Sequence, residues 1–251
     1  MPFPTENEML RLFEIGKKNN SITLGDIMKY FNIETFDNDK IDEIGFHLQV
    51  FRKKDTTNVS YLHGHILHFA LINYLKENVD IKNVNIFETG TARGFSSIIM
   101  AHTLDCMKRD GIINTFDIKH YNSKTESECL CAAIRQQKVS CIECIEPFKE
   151  LVEKYIKFNV GDTNKILKTR ETDRIHFAFL DGDHKYSSLK LELNYVSKTQ
   201  KSGDIIIVDD YSVPELGKAT DEFLENGSYI WHILEGRVGV KTRKYIYLKK
   251  K

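Results

Sequence analysis

The sequence predicts an α/β fold on a mostly parallel, seven-stranded sheet with an antiparallel last strand, preceded by a helical segment. Three observations predict it. From residue 84 onward, short apolar runs alternate with segments of helical spacing. The first five runs lack strict polar alternation, so helices should cover both faces of the sheet. The last two are joined only by GRVGVKTR, which suits an antiparallel pair at a sheet edge.

Residues 6–80 read as mostly helical: ENEMLRLFEIGKKNN and YLHGHILHFALINYLKEN both repeat apolar residues near helical spacing. TFDNDKIDE, between them, has the composition of a turn. The strand candidates then follow as VNIF (84–87), IINTF (112–116), YIKFNV (155–160), IHFAFL (175–180), DIIIV (204–208), YIWHIL (229–234) and KYIYL (244–248). Strands separated by helices make right-handed βαβ units and a parallel sheet. The chain therefore divides into a helical cap or extension, 1–82, and an α/β catalytic domain, 83–251. The cap is expected to help close a pocket or to form a homo-oligomer contact.

Composition removes several function classes. Lys plus Arg and Asp plus Glu both number 36, so no bulk positive charge supports nucleic-acid binding. No apolar stretch is long enough for a bilayer span, and MPFPTENEML lacks the basic start and apolar core of a secretory signal. Five cysteines, an odd number, argue against a secreted disulfide scaffold. No membrane partner and a cytoplasmic location are the expectations.

Ligands of open α/β sheets bind beyond the carboxyl ends of the strands, and these ends are acidic. The first delivers FETGTARGFSS: Glu88, then Gly90 and Gly94, then a helix whose free N–H groups can meet a carboxylate or phosphate. The spacing G-x-x-x-G is not the dinucleotide pattern G-x-G-x-x-G. An acid before the first glycine would repel phosphates but suits an ammonium group. The second strand ends in Asp117, placed to accept from a ribose diol; the plain alternative is a surface loop aspartate. The third ends in Gly161-Asp162, where Asp162 either accepts from an adenine amino group or caps the helix TNKILK. The fourth ends in FLDGDHKY, with Asp181, Asp183 and His184. The fifth, GDIIIVDDY, ends in Asp209 and Asp210. If the fourth and fifth strands are neighbours, Asp181, Asp209 and Asp210 converge, and three carboxylates need a cation among them. Hard oxygen ligands favour Mg²⁺, Mn²⁺ or Ca²⁺ over zinc. A buried lysine or arginine in that corner would take the ion's place and remove the basis for metal chemistry.

Together, E-x-G-x-x-x-G-x-S-S, F-L-D-G-x-H-x-Y and G-D-I-I-x-x-D-D resemble class I S-adenosylmethionine-dependent methyltransferases, most closely the macrocin O-methyltransferase type. The resemblance covers about residues 84–251. It implies a Rossmann-like sheet and an S-adenosylmethionine- and divalent-metal-dependent (Mg²⁺ or Mn²⁺) O-methylation of a small-molecule hydroxyl, on a sugar or glycoside. It implies that Glu88, Gly90, Thr91, Gly94 and Ser96 cradle the methionine part, that Asp117 binds the ribose, and that Asp162 lies near the adenine. Asp181, Asp209 and Asp210 fall on the metal positions, with Asp183 as base and His184 the second choice. The chain departs from the family in Asp117-Ile118-Lys119-His120 and in a longer 121–144 segment. Two other readings stand beside this one: a non-catalytic cofactor-binding module, and a nucleotide-cofactor oxidoreductase, which the missing glycine pattern disfavours.

Two further groups attract metal readings. His63, His65 and His68 lack the i, i+4 pairing of helical zinc sites, and a pocket-lining role suits them better. Cys129, Cys131, Cys141 and Cys144 form C-x-C…C-x-x-C, whose first pair is too close for a usual zinc knuckle. Buried reduced cysteines are the simpler reading.

Overall fold

A computed structural model describes residues 2–52, 56–238 and 241–251. Seven strands form one sheet: β1 (Asn83–Thr89), β2 (Asp110–Asp117), β3 (Ile156–Val160), β4 (Phe177–Leu180), β5 (Ile205–Val208), β6 (Tyr229–Val238) and β7 (Lys241–Lys250). Their order is β3-β2-β1-β4-β5-β7-β6. The pairs among β1 to β5 are parallel, whereas β7 runs antiparallel to both β5 and β6. All seven expected runs are strands, and the last two reach further than their apolar residues, into the connection itself.

The helices are α1 (Glu6–Tyr30), α2 (Asp39–Leu48), α3 (Leu62–Glu77), α4 (Phe95–Cys106), α5 (Leu130–Arg135), α6 (Cys141–Cys144), α7 (Lys149–Tyr155), α8 (Thr163–Ile166), α9 (Tyr186–Ser197) and α10 (Pro214–Leu224). Thr5 starts α1 with a reciprocal capping box to Glu8. The turn-like stretch 35–43 is helical from Asp39, because Ile41, Ile44, Gly45 and Leu48 give the helix a buried face at i, i+3, i+4 and i+7. The apolar faces of α1, α2 and α3 share one core with the sheet: Met9, Leu12, Ile44 and Phe69 cluster with Ile86, Phe179 and Tyr245. A second core, around Leu193, Ile206 and Leu216, fills the opposite face under α9 and α10.

The long 121–144 segment is tied to the N-terminal part. The backbones of Phe51 and Cys129 form a β-bridge, and Arg52 makes two hydrogen bonds of 3.0 Å to the Glu128 carboxylate. Among the described residues, no helix is long and apolar enough to cross a membrane.

Candidate active site

The order β2-β1-β4-β5 places four acidic strand ends side by side, at the crevice between β1 and β4 where the chain reverses direction across the sheet. The loop after β1 turns on Gly90, whose φ is 89°. A Cβ there would collide with the Asp181 carbonyl oxygen, so the close approach of two strand ends itself demands glycine. Gly94, at φ 83°, opens α4. Thr91 is fixed by a 2.6 Å hydroxyl contact with Thr115.

Glu88 lies fully buried at the end of β1. One oxygen accepts from Ser97, while Oε1 makes no hydrogen bond among the described residues. Burial pushes the carboxyl up to about 7, against the lowering pull of the Ser96, Ser97 and Thr115 hydroxyls. A buried carboxylate oxygen without a donor fits a ligand that brings one, such as the ammonium of a methionine group.

Two cavities meet at Gly90. One, of about 410 Å³, is lined by Asp117, Asp162, Gly161, Asn164 and Asp183. Asp117 accepts from the backbone N–H of Ala92 at 2.9 Å and of Lys119 at 2.8 Å. Asp162 caps α8 by accepting from the Asn164 N–H at 2.9 Å. Of its two readings the cap is realised, and the residue still borders the cavity. The other cavity, of about 610 Å³, is lined by Ser96, Thr91, His63, Asp181 and Asp210, with Phe51 and Phe95 as apolar walls.

The corner above β4 and β5 differs from the drawing made from sequence. Asp209 is buried, and both its oxygens accept from Arg243, at 2.9 and 2.5 Å. Arg243 Nε also lies 2.9 Å from Asp210 Oδ1. Within the chain, the cation that offsets the adjacent carboxylates is therefore a guanidinium, which takes the place expected for an ion at Asp209 and removes the three-carboxylate basis for metal chemistry; any dication is left with Asp181 and Asp210. Burial pushes the Asp209 carboxyl up, with Asp181 adding to the shift and Arg243 opposing it. Asp210 sits in the left-handed region at φ 49°, held by a 2.6 Å bond from its N–H to Asp209 Oδ1. Asp181, Asp210 and His184 face one another instead: their ligand atoms lie within 4.8 Å, and among the described residues this is the one such group able to hold a metal ion. His184 Nε2 is 3.7 Å from both carboxylates, and its pKa is raised, first by Asp181 and then by Asp210. Asp183 points elsewhere: Oδ2 takes 2.8 Å from Lys185 and 3.1 Å from Ser188, and Lys185 holds the carboxyl below its usual range.

Three residues escaped the sequence reading: Arg243, Arg93 and Glu192. Glu192 is buried on α9 and accepts from Thr89 and Thr163 at 3.0 Å each; burial pushes it up to about 7. Its signal was an acid on the apolar stripe of Leu189, Leu193 and Val196. The histidines of α3 are buried, and two pack as neutral groups: His68 Nδ1 is 2.8 Å from the Thr103 hydroxyl, His65 Nε2 is 3.1 Å from Asn38 Oδ1, and burial lowers them to about 3 and 4. His63 does line the larger cavity. All five cysteines are free; Cys129 and Cys144 approach to 3.8 Å, but the four-cysteine set does not gather as a metal site.

This sheet order, with acidic strand ends around a glycine-bearing loop, matches the Rossmann-like methyltransferase fold. Residues 87–211 match the family model described as a methyltransferase domain. No curated protein sequence matches the chain. Among solved structures it resembles the O-methyltransferase NovP, at 19% identity over 80% of this chain and 83% of that one, with a TM-score of 0.57. It also resembles the O-methyltransferase TomG from Streptomyces achromogenes, involved in tomaymycin synthesis and solved with S-adenosylmethionine, at 15% identity over 94% and 98% and TM-score 0.58. A third is an O-methyltransferase from Bacillus cereus in complex with S-adenosylhomocysteine, at 14% over 92% and 100% and TM-score 0.55.

Proposed function

We propose that the protein transfers the methyl group of S-adenosylmethionine to a hydroxyl of a small molecule, a sugar or glycoside. The observation that carries this reading is the pair of cavities joined at Gly90, one bordered by Asp117 and Asp162 and the other by Asp181 and Asp210. NovP, TomG and the Bacillus cereus protein are O-methyltransferases, which supports oxygen as the methyl acceptor.

In this reading Glu88 Oε1 takes the cofactor's ammonium, Asp117 the ribose hydroxyls, and the loop from Gly90 through Thr91 and Gly94 to Ser96 the methionine part. Asp162 lies beside the adenine. The acceptor occupies the larger cavity, whose walls align its hydroxyl with the methyl group. His184 Nε2 is the proton acceptor the geometry favours, since Asp183 borders the smaller cavity with an oxygen already held by Lys185. Two facing carboxylates fit a hard dication, and Mg²⁺ needs only one or two protein carboxylates beside water and substrate. Asp181 and Asp210 would hold Mg²⁺ or Mn²⁺, which supplies Lewis acidity to the acceptor oxygen. Asp209 joins that set only by releasing Arg243.

His184→Gln is expected to lower kcat about 10²-fold, whereas Asp183→Asn lowers it less than about tenfold. Steady-state rates of S-adenosylhomocysteine release measure both, and the reverse ranking returns the base to Asp183. Chelation with EDTA should stop turnover, and Mg²⁺ or Mn²⁺ should restore it. Full turnover in EDTA would leave Arg243 as the corner's cation and remove the metal from the proposal.

A further inference from the structure

We infer that the methyl acceptor carries an acidic group, a carboxylate or a phosphate, which docks on Arg93 and Lys241 in the larger cavity. The inference rests on the methyltransferase reading above and names the chemistry of its acceptor. Among the described residues, three cationic side chains line that cavity: Arg93 from the loop after β1, and Lys241 and Arg243 from the start of β7. Arg243 is consumed by Asp209 and Asp210. The other two have no carboxylate within ion-pairing distance among the described residues.

Arg93 is held for a ligand rather than for the fold's own charges. Its Nε donates to the Leu48 carbonyl at 2.7 Å, and its guanidinium lies over the Phe51 ring, 4.3 Å from the centroid. Those contacts fix the plane of the group, and Nε is its one nitrogen with a hydrogen bond among the described residues. Burial lowers its pKa, and the groups that oppose the shift are the thiols Cys129, Cys144 and Cys141 rather than any carboxylate, so the charge stands in a poorly solvated place with no carboxylate beside it among the described residues. A guanidinium so placed matches a carboxylate or phosphate through two parallel N–H bonds. Lys241 is exposed on the same cavity and adds a second, mobile positive charge. Asp181 and Asp210 border the same space, so the acidic group of the acceptor must lie away from them, toward Arg93. The two signs of charge thus set the acceptor's direction: hydroxyl toward Asp181, Asp210 and His184, acid toward Phe51 and Arg93.

The test uses the full chain loaded with S-adenosylhomocysteine, and titration calorimetry with matched pairs. Methyl β-glucuronide is compared with methyl β-glucoside for the carboxylate, and glucose 6-phosphate with glucose for the phosphate. At least one acidic member should bind about tenfold or more tightly than its neutral partner, as a charge-assisted bidentate contact requires. The pair showing the preference identifies which acid is recognised. The preference should weaken between about 20 and 300 mM salt, because one partner, Lys241, is exposed. Arg93→Met keeps an apolar stem over Phe51 and should abolish the preference, with S-adenosylhomocysteine affinity changed less than about twofold; Lys241→Met should reduce it in part without touching the core. No acidic probe exceeding its neutral partner overturns the inference. So does an Arg93→Met protein that loses S-adenosylhomocysteine and keeps the acid preference, because Arg93 then serves the cofactor's own carboxylate. Failure of the wild-type protein to bind S-adenosylhomocysteine at all would instead strike the methyltransferase reading.

Discussion

Glu88→Gln is expected to weaken S-adenosylmethionine binding by about 2–5 kcal/mol while making the cofactor-free protein more stable at pH 8. The binding loss follows from removing the charge that, in the proposed binding mode, faces the ammonium in a fully buried place, where the partner left behind is costly. The gain in stability follows from the sign of the titration. The folded-state pKa of Glu88 is raised from 4.5 to about 7. Between those values the folded chain keeps a proton that the unfolded chain releases, so stability falls as pH rises through the window, by at most about 3 kcal/mol. Gln has no such proton to lose. Glu192, raised to about 7 by the same burial, is unchanged in the variant, so the pH dependence should shrink by about half rather than vanish. Cofactor binding favours the ionised form of Glu88 and should therefore release a proton at pH 6 and almost none at pH 8. Calorimetry in two buffers of different ionisation enthalpy reads that release, and thermal melts at pH 5 and 8 read the stability. Unchanged affinity in the variant would remove Glu88 from the cofactor site.

The placement of Glu88, Gly90 and Asp117 at the strand ends was legible because each stands at or just beyond the end of an apolar run. The convergence of Asp181 with Asp210 was legible for the same reason, once β4 and β5 were taken as neighbours. Arg243 was not. It lies 33 residues beyond Asp210, and reaches it only because β7 folds back antiparallel on β5, with Val208 opposite Ile246. Nothing in KTRKYIYL distinguishes this arginine from its solvated neighbours; register alone turns it inward. Arg93 was hidden differently. It stands inside the glycine loop, yet its partners, Leu48 and Phe51, come from the segment before β1, where the sequence shows only helices and turns. Glu192 broke an apolar stripe in plain view, and a stricter reading of helical periodicity would have singled it out.

Arg243→Met tests what holds the acidic corner together, and its effect should be the largest on the fold. The substitution leaves Asp209 buried and Asp210 beside it, both facing Asp181 without their internal cation. Breaking a buried pair by removing one partner costs about 3–5 kcal/mol, because the remaining charge has neither water nor counter-ion. The loss should be greatest at pH 8 and smaller at pH 5. Without the guanidinium the Asp209 carboxyl is governed by burial and like charge, both of which raise its pKa, so protonation in mild acid relieves the strain. Urea unfolding at the two pH values measures this difference. A dication should also relieve it, since it replaces the missing charge among hard oxygen ligands. Mn²⁺ is therefore expected to raise the melting temperature of Arg243→Met more than that of the wild type. Adding Asp209→Asn to Arg243→Met should recover part of the lost stability, because the buried charge is removed with its partner and the two changes are coupled. A loss equal at pH 5 and pH 8, unmoved by Mn²⁺ and simply additive with Asp209→Asn, would mean that Arg243 contributes packing against Tyr245 rather than charge.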